Sequence, residues 1–557
     1  MSEPIGNLCL VLHGHMPYVL NHGDYPHGEA WLYEAAAETH LPILDMIGEV
    51  ALLQKRPAIT IGMMPVLLEQ LAHDRFKTGF VKYLHGRIDK AKQDRKEFEA
   101  DGDQHSAYLA SRWEEWFGDR LAQFERIGRD IPGEFAKRYA EGHIELLTSN
   151  ATHAYMPLVL NDQMLAAQMK CGVATSEKHL GKKPSGMWLP ECAYRPHWPH
   201  WMPSVLFDNA RDRSGVETFM EQQGITHFFV ESHLVQNATP MGHRHDGNFY
   251  LGAGGRAGGN DTLEPVGVAS EPRDASVHAF ARHPKVSEQV WSGSIGYPAN
   301  GKYLEFHRKR GERGLRYHKI TSTKTPLSAK DPYYPDDIPS LIHEHASHFC
   351  DTVRSTLWDY NRFTGRRGTV VASFDAELFG HWWFEGPRFL RDVILNLAGD
   401  EHVRLSTASE VLERDPADKV MRLPEGSWGE NGDHTVWAND SVKWWWEIEY
   451  RAEGEFLKQL HSLPWKTNAD VRVLLEKAGR QLLLLQASDW AFVIHTQGAV
   501  DYGIQRIADH ATNFGRLIDA AGHVATGGEL SDVQKVEIAN ADAHDVIFQD
   551  IDLNWWM

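Results

Sequence analysis

Two carboxylates are candidates for chemistry because each follows an apolar run and lies among aromatic residues. Glu191 comes directly after Trp188-Leu-Pro, and Asp375 ends the run that begins at Gly368. Aromatic surroundings exclude water and shift the pKa of a carboxyl group. Two such acids can cleave a glycosidic bond with retention when their carboxyl groups lie about 5–5.5 Å apart. The alternative is that each acid merely caps a helix or forms a salt bridge.

Five histidines at or near the ends of apolar runs support a competing hypothesis. They are His13, His15, His153, His233 and His381. Imidazoles at strand ends can bind zinc, as in metal-dependent deacetylases and amidohydrolases. The chain contains 32 histidines, so a His-x-His pair arises readily by chance. Without a metal, His13 and His15 would hydrogen-bond sugar hydroxyls, and His381 would tune the second carboxylate.

Tryptophans form a third group of candidates, and the chain has 19 of them. Residues 426–437 are rich in Gly, Asn and Asp, which predicts a loop with Trp428 and Trp437 exposed. The three tryptophans at 444–446 are expected to pack at a domain interface. Asp489, between Ser and Trp, is either a buried cap or a group that reaches the site.

The apolar runs indicate the elements that position these residues. Each is short and is followed by polar residues, as expected for buried parallel strands whose carboxyl ends carry a site. The runs cover residues 8–12, 58–64, 144–147, 186–189, 227–230 and 368–374. Since helical segments separate them, the sequence predicts an α/β barrel with its site at the carboxyl ends of the strands.

The segments between and after these runs differ in composition. The segment 80–140 is charged and lacks strand-like alternation, and the segment 238–264 is rich in Gly, His and Asn. The last part of the chain has helical periodicity at 469–486 and 503–520. Long Gly-rich loops in compact domains are usually functional or disordered. The sequence therefore predicts a catalytic part (1–410), a helical insertion (80–140), a mobile active-site loop (238–264) and a mostly helical C-terminal part (411–557).

Composition narrows the classes of partner. The 57 Lys and Arg against 76 Asp and Glu give a net charge of −19, which argues against nucleic acid and anionic membranes. A neutral polymer remains compatible. The four cysteines lack metal spacing and are expected to be free thiols. No apolar window is long enough for a membrane span and no signal sequence is evident, so a soluble, cytoplasmic protein is expected.

Five motifs in chain order resemble the 1,4-α-glucan branching enzymes of glycoside hydrolase family 57. The motifs are His13-Gly-His-Met-Pro-Tyr18, Gly142-His-Ile-Glu145, Trp188-Leu-Pro-Glu-Cys-Ala-Tyr194, Phe374-Asp-Ala-Glu-Leu-Phe-Gly-His-Trp-Trp383, and Trp428 to Trp437 with the later Ser488-Asp-Trp490. The resemblance implies an incomplete (β/α)7 barrel with a helical insertion, and a helical C-terminal domain that closes over the cleft. It also implies that no metal or cofactor is used.

The resemblance assigns roles to residues of this chain. It makes Glu191 the nucleophile and Asp375 the general acid/base. It also implies a loop-tip tyrosine over the site, for which Tyr250 is the candidate in 238–264. The remaining expected substrate-binding residues are His13, His15, Trp31, His153, Trp291, His381, Trp382, Trp428, Trp437 and Asp489.

The expected activity is therefore the transfer of an α-1,4-linked chain to a 6-hydroxyl group, which forms an α-1,6 branch. An α-amylase-type hydrolase of the same family is the first alternative, since water would then replace the glucan acceptor. A metal-dependent deacetylase or amidohydrolase and a non-catalytic glucan-binding protein are further alternatives. The expected partner is an α-glucan such as amylose or a glycogen-like chain. The sequence leaves the oligomeric state open.

Overall fold

The computed structural model of the protein describes residues 3–203, 209–252 and 259–557. Part of the predicted loop at 238–264, namely residues 253–258, lies outside these ranges. The strands are β1 (Gly6–Gly14), β2 (Ile59–Met63), β3 (Ile144–Thr148), β4 (Gly186–Met187), β5 (Trp198–Trp201), β6 (Arg211–Arg213), β7 (His227–Val230), β8 (Thr239–His245), β9 (Asn248–Leu251), β10 (Val266–Val268), β11 (His278–Ala281), β12 (Gly368–Asp375), β13 (Val403–Leu405) and β14 (Lys419–Arg422).

The main sheet is largely parallel. Its strands follow the order β12-β1-β2-β3-β4-β7-β11-β10-β14-β8-β9, and β13 also pairs with β1. Every neighbouring pair from β12 to β11 is parallel. All nine residues of β1 are buried, which explains its continuous apolar run, because a parallel strand is covered on both faces. The predicted α/β class is confirmed.

The register of β1 against β12 brings the candidate residues together. His13 is opposite Asp375 at the carboxyl end of this pair. The carboxyl ends of β3 and β4 lie farther along the same edge, because β2, β3 and β4 also run parallel to β1. The strands therefore deliver His13, Asp375 and the residues that follow β3 and β4 to one edge of the sheet.

The sheet continues beyond its parallel part into antiparallel strands. β8 and β9 form a hairpin, and β8 pairs with β14. The described part of 238–264, predicted as a loop, thus contains two strands whose backbone groups are paired. β14 lies beyond the predicted boundary at residue 410 and still belongs to the sheet, so the sheet ends later in the chain than its apolar runs indicate.

The helices fall into three groups. Those before β4 are α1 (Glu29–Ala35), α2 (Leu41–Leu52), α3 (Pro65–Ala72), α4 (Asp74–Ala100), α5 (Gln104–Arg126), α6 (Ile131–Ala140) and α7 (Asp162–Leu180). Those from β6 to β14 are α8 (Val216–Gln222), α9 (Ser232–Gln236), α10 (Pro284–Trp291), α11 (Ile338–Thr364), α12 (Gly386–Leu397) and α13 (Ala408–Arg414). The last are α14 (Lys443–Ser462), α15 (Ala469–Leu485), α16 (Asp489–His495), α17 (Val500–Ala525) and α18 (Asp532–His544).

The long helices α4 and α5 lie between β2 and β3 and pack against each other. Phe80 of α4 meets Phe124 of α5 edge to face, with ring centroids 4.9 Å apart. Asp103 caps α5 by accepting a hydrogen bond from the backbone N–H of Ser106. The pair covers most of the segment 80–140 for which a helical insertion is predicted, and α4 begins earlier, at Asp74.

Helices α14 to α18 pack against the sheet domain as well as against one another. The Trp445 indole donates a hydrogen bond to the Leu485 carbonyl, 3.0 Å away, which joins α14 to the end of α15. Glu453 of α14 accepts hydrogen bonds from the backbone N–H groups of Leu160 and Asn161, just before α7. The described helices include none that is long and apolar enough to cross a membrane.

Candidate active site

Glu191 lies just past β4 in an unusual backbone conformation. Its φ is 60° and its ψ is 21°, a left-handed geometry that costs a residue with a side chain about 1 kcal/mol or more. A short bridge holds this segment in place, since Tyr194 and Gly426 exchange backbone hydrogen bonds and Trp428 N donates to the Glu191 carbonyl. The loop at 426–437 therefore maintains the strained turn that presents the carboxylate.

The Glu191 carboxylate is held at both oxygens. Oε2 accepts a hydrogen bond from the Trp428 indole N–H at 2.9 Å, and Oε1 accepts one from the Ser488 hydroxyl at 3.1 Å. Burial raises the pKa of Glu191 to about 7, opposed by the Trp428 hydrogen bond and reinforced by the charges of Asp489 and Asp375. The group therefore exchanges its proton near neutral pH, as an active-site acid can.

Asp375 lies at the end of β12, in the same buried region. Burial raises its pKa to about 7, while His15 and Arg282 act in the opposite direction. Its charge is felt by Glu191, whose pKa it raises. The two carboxylates that the sequence identifies thus lie within electrostatic reach of each other, although 183 residues of chain separate them.

The three histidines at the site form a cluster of nearly parallel rings. The rings of His15 and His153 stack with centroids 3.8 Å apart, and those of His13 and His153 lie side by side at 5.1 Å. His13 also stacks on the buried Trp188, 4.6 Å away. The rings are therefore fixed in position by their neighbours before any ligand binds.

A chain of hydrogen bonds connects this cluster of histidines to Glu191. His13 Nε2 lies 3.1 Å from His153 Nε2, and His153 Nδ1 lies 3.0 Å from the Ser488 hydroxyl. Because Ser488 donates its one proton to Glu191, His153 Nδ1 must donate to Ser488, and His13 Nε2 must donate to His153. Burial lowers the pKa of both His13 and His153 well below the usual value, so both rings are neutral.

His15, His153 and Asp489 could hold a metal by distance alone, since their donor atoms lie within 4.8 Å of one another. The ring geometry does not suit a shared ion. Lone pairs lie in the ring planes, and two rings that stack 3.8 Å apart with a 15° tilt leave no point that is both in plane and within the roughly 2 Å of a Zn–N bond. His15 Nε2 instead lies 3.0 Å from both Asp489 oxygens.

Asp489 and Ser488 come from the C-terminal helices, at the start of α16. Ser488 N donates a hydrogen bond to the His153 carbonyl, and Ala487 forms an isolated β-bridge with Ala154. The segment between α15 and α16 is therefore joined to the loop after β3. Of the two expected roles of Asp489, contact with the site is the one observed.

The tryptophans of the loop at 426–437 occupy different environments. Trp428 is partly exposed and lies near Trp291, with ring centroids 6.2 Å apart. Trp437 is only 1% exposed, so its predicted exposure is wrong. It stacks on Tyr155 at 4.5 Å, and its carbonyl accepts a hydrogen bond from the Trp446 indole. The α14 tryptophan and Tyr155 cover it, which its loop-like neighbours in sequence do not reveal.

Four other predicted site residues have described contacts with groups other than the two carboxylates, or are largely exposed. Trp31 contacts Tyr502 of α17 edge to face at 5.4 Å. His381 Nδ1 lies 3.0 Å from Glu38 Oε2, so its hydrogen-bond partner is not Asp375. Tyr250 stacks on His243 and is 46% exposed, and Trp382 is 45% exposed.

The structure adds Glu377 and Ser488 to the site. The backbone N–H of His15 donates to Glu377 Oε1 at 3.2 Å, which ties the end of β1 to the turn after β12. Burial and the Asp375 charge raise the pKa of Glu377 to about 8. Glu377 could be found in the sequence only by its closeness to Asp375. Ser488 belongs to the motif Ser488-Asp-Trp490, but no local pattern indicates its contact with Glu191, which lies 297 positions earlier.

Comparisons with known proteins show which family the chain belongs to. The sequence profile of glycosyl hydrolase family 57 matches residues 9–424. The profile of the 1,4-alpha-glucan branching enzyme C-terminal region matches residues 449–556. The 1,4-alpha-glucan branching enzyme of Thermococcus kodakarensis is 36% identical over 533 residues, which cover 96% of this chain and 76% of that protein.

Two solved structures are similar over almost the whole chain. The GH57-type branching enzyme from Pyrococcus horikoshii has a TM-score of 0.89 and 34% identity, covering 99% of this chain and 97% of that chain. The alpha-amylase AmyC from Thermotoga maritima has a TM-score of 0.81 and 28% identity, covering 99% of each. The family predicted from the five motifs is confirmed. The chain belongs to glycosyl hydrolase family 57.

Proposed function

We propose that the protein is a 1,4-α-glucan branching enzyme that acts with retention. The observation that carries the proposal is the pair Glu191 and Asp375, two mostly buried carboxyl groups at one edge of the sheet, where burial raises the pKa of each to about 7. Its similarity to two branching enzymes over nearly its full length supports the choice within the family.

In the first step, Glu191 attacks C1 of a glucosyl unit as Asp375 protonates the departing glycosidic oxygen. The hydrogen bonds from Trp428 and Ser488 hold the Glu191 carboxylate in one orientation, so its attack needs little reorganisation. The C1–O4 bond breaks, and a glucan remains covalently attached to Glu191.

In the second step, Asp375 removes the proton from the 6-hydroxyl of an acceptor glucan. That oxygen attacks C1, the bond to Glu191 breaks, and an α-1,6 linkage forms with Glu191 free again. His15 lies close enough to lower the pKa of Asp375, and Asp489 holds His15. The C-terminal helices therefore support the group that must gain and lose a proton.

The choice of acceptor separates branching from hydrolysis. Water enters any open site, so transfer to a sugar requires a bound acceptor and exclusion of water. Trp428 and Trp291 offer aromatic surface beside Glu191, where we place glucosyl units. The other proposed substrate-binding residues are His13, His15, Trp31, His153, Tyr250, His381, Trp382, Trp437 and Asp489. Trp437 would act by supporting its loop, since it is buried.

The parallel strands are proposed to form an incomplete (β/α)7 barrel. Seven of the described strands, from β12 to β11, are parallel and consecutive in the sheet. A backbone hydrogen bond from His283 N, just past β11, to the Val371 carbonyl of β12 links its last strand to its first, and Thr369 N of β12 donates to the Leu263 carbonyl, which precedes β10. The helices from α14 onward would then form the C-terminal domain over the cleft.

Incubation with amylose tests the proposal. A branching enzyme lowers the iodine colour with little gain in reducing ends, because each broken bond is replaced by another glycosidic bond. A matching rise in reducing ends would instead identify the α-amylase-type hydrolase, the candidate favoured by the similarity to AmyC.

Tyr250→Ala, assayed beside the wild type, is expected to raise the share of hydrolysis. An unchanged ratio would remove Tyr250 from the proposed site.

A further inference from the structure

A large cavity lies apart from the carboxylate pair. It is bounded by α1, the first two-thirds of α4 and the turn at 312–313, and its volume is about 1250 Å³. Neither Glu191 nor Asp375 is among the described residues that line it. Sites for compact small molecules usually measure about 300–1000 Å³, so this cavity has room for a larger ligand.

The cavity is elongated along α4. Its lining on this helix extends from Asp74 to Lys90, and Thr78, Lys82 and Gly86 recur at four-residue spacing on the same face. At 1.5 Å per residue, this stretch is about 24 Å long. A groove of that length fits a linear chain better than a single compact molecule.

The charges along the groove balance. Among the described lining residues, five carboxylates face five lysines and arginines. Two pairs are in direct contact, Arg75 Nε with Glu29 Oε1 at 2.6 Å and Arg313 Nη1 with Asp24 Oδ2 at 2.9 Å. The whole chain carries −19, so this local balance is distinctive. It suits a neutral ligand that is rich in hydroxyl groups and disfavours a polyanion.

Gly86 opens the floor of the groove. It lies inside α4, where Gly costs about 1 kcal/mol relative to Ala. A Cβ at this position would meet no atom within 4 Å outside its own helix backbone, so packing does not require Gly. Beside it, the buried Tyr83 hydroxyl has no hydrogen-bond partner in the described chain, and a ligand hydroxyl could supply one after a small side-chain shift.

Helix α1 connects the groove with a residue of the proposed cleft. Ala30 and Glu34 line the groove, and Trp31, on the same helix, contacts Tyr502 of α17. We infer that the groove is a second binding site for an α-1,4-glucan chain, which it holds away from the bond that is broken. The inference rests on the proposed function, which supplies a neutral, linear, polyhydroxylated substrate of this kind.

The test blocks the groove with one variant and removes the proposed ligand contact of the Tyr83 hydroxyl with another. Gly86→Trp and Tyr83→Phe are each made in a Glu191→Gln background, so that no turnover occurs. Gly454→Trp is the control, because Gly454 is an exposed helical glycine on α14 whose Cβ would also meet no atom within 4 Å. Binding is measured by native electrophoresis in gels containing soluble amylose and by titration with maltotriose, and folding by thermal melting.

Gly86→Trp is expected to raise the dissociation constant for amylose at least about fivefold, and Tyr83→Phe about twofold to threefold. Gly454→Trp leaves it unchanged, and none of the three alters maltotriose binding. Amylose binding by a folded Gly86→Trp protein at the control level overturns the inference, as does an equal loss of maltotriose binding. The binding assay needs no catalysis, so it tests the groove independently of the proposed activity. If the groove binds amylose and the wild-type protein forms no branches, the proposed activity is wrong and the second binding site remains.

Discussion

At the scale of single residues, the two carboxyl groups make the fold dependent on pH. Burial raises the pKa of Glu191 and of Asp375 to about 7, whereas both ionise near pH 4 in an unfolded chain. The folded protein therefore binds protons more tightly than the unfolded chain. The stability that these two groups contribute falls as pH rises from about 4 to about 7 and stays level above that range.

Removing either charge should stabilise the protein at alkaline pH. Glu191→Gln is expected to raise the free energy of unfolding by up to about 3 kcal/mol at pH 8, and by little near pH 4, where the wild-type group is protonated in the folded state and mostly protonated in the unfolded state. Asp375→Asn should behave in the same way. Melting temperatures measured across this pH range check both variants. A gain that is the same at pH 4 and pH 8 would show that burial of a charge is not its cause.

At the scale of elements, the loop at 426–437 sets the properties of Glu191. It supplies the backbone bridge to Tyr194, the N–H that binds the Glu191 carbonyl and the indole that binds its carboxylate. Tyr155 and Trp446 hold the loop through the buried Trp437. A loop anchored in this way holds the Glu191 carboxylate in one orientation.

Trp428→Phe should shift the pH dependence of activity. The indole hydrogen bond lowers the pKa of Glu191, so its loss raises that pKa. In the proposed mechanism Glu191 must be ionised to attack, and the acidic limb of kcat/KM is therefore expected to move up by about one pH unit. Trp358→Phe is the control, since Trp358 is 55% exposed and contacts His402 instead. An acidic limb that stays in place would show that this bond does not tune Glu191.

The sequence predicts those parts of the site that are recognisable from residues adjacent in the chain. The strand ends that carry His13, Glu191 and Asp375 are recognisable because buried parallel strands are short apolar runs that stop at polar residues. The contact between Ser488 and Glu191 joins residues 297 positions apart, and no local pattern encodes it. The burial of Trp437 likewise depends on α14, which follows it in the chain.

At the scale of the whole molecule, the C-terminal helices complete a site that the sheet begins. Ser488 and Asp489 reach Glu191 and His15, so the position of α16 relative to the sheet must be fixed. Glu453 of α14 contributes to this, because its buried carboxylate accepts hydrogen bonds from the Leu160 and Asn161 backbone.

Glu453→Ala should weaken the junction between α14 and the sheet domain. The variant leaves those two backbone N–H groups without an acceptor, and it is expected to lower the free energy of unfolding by about 2–4 kcal/mol. Glu455→Ala on the same helix is the control and should change it by less than about 0.5 kcal/mol, because Glu455 is 39% exposed at its side chain. Thermal or denaturant unfolding measures both. Equal effects would contradict a structural role for Glu453.

The most direct measurement of the retaining mechanism is mass spectrometry of a trapped glycosyl-enzyme. In Asp375→Asn, a 5-fluoro-α-glucosyl fluoride needs no acid to lose fluoride, so the first step can proceed while the second is slowed about 10²- to 10⁴-fold. The retaining mechanism predicts one glycosyl group attached to the peptide that contains Glu191. A label on another residue, or no label while the fluoride is consumed with inversion at C1, would contradict it.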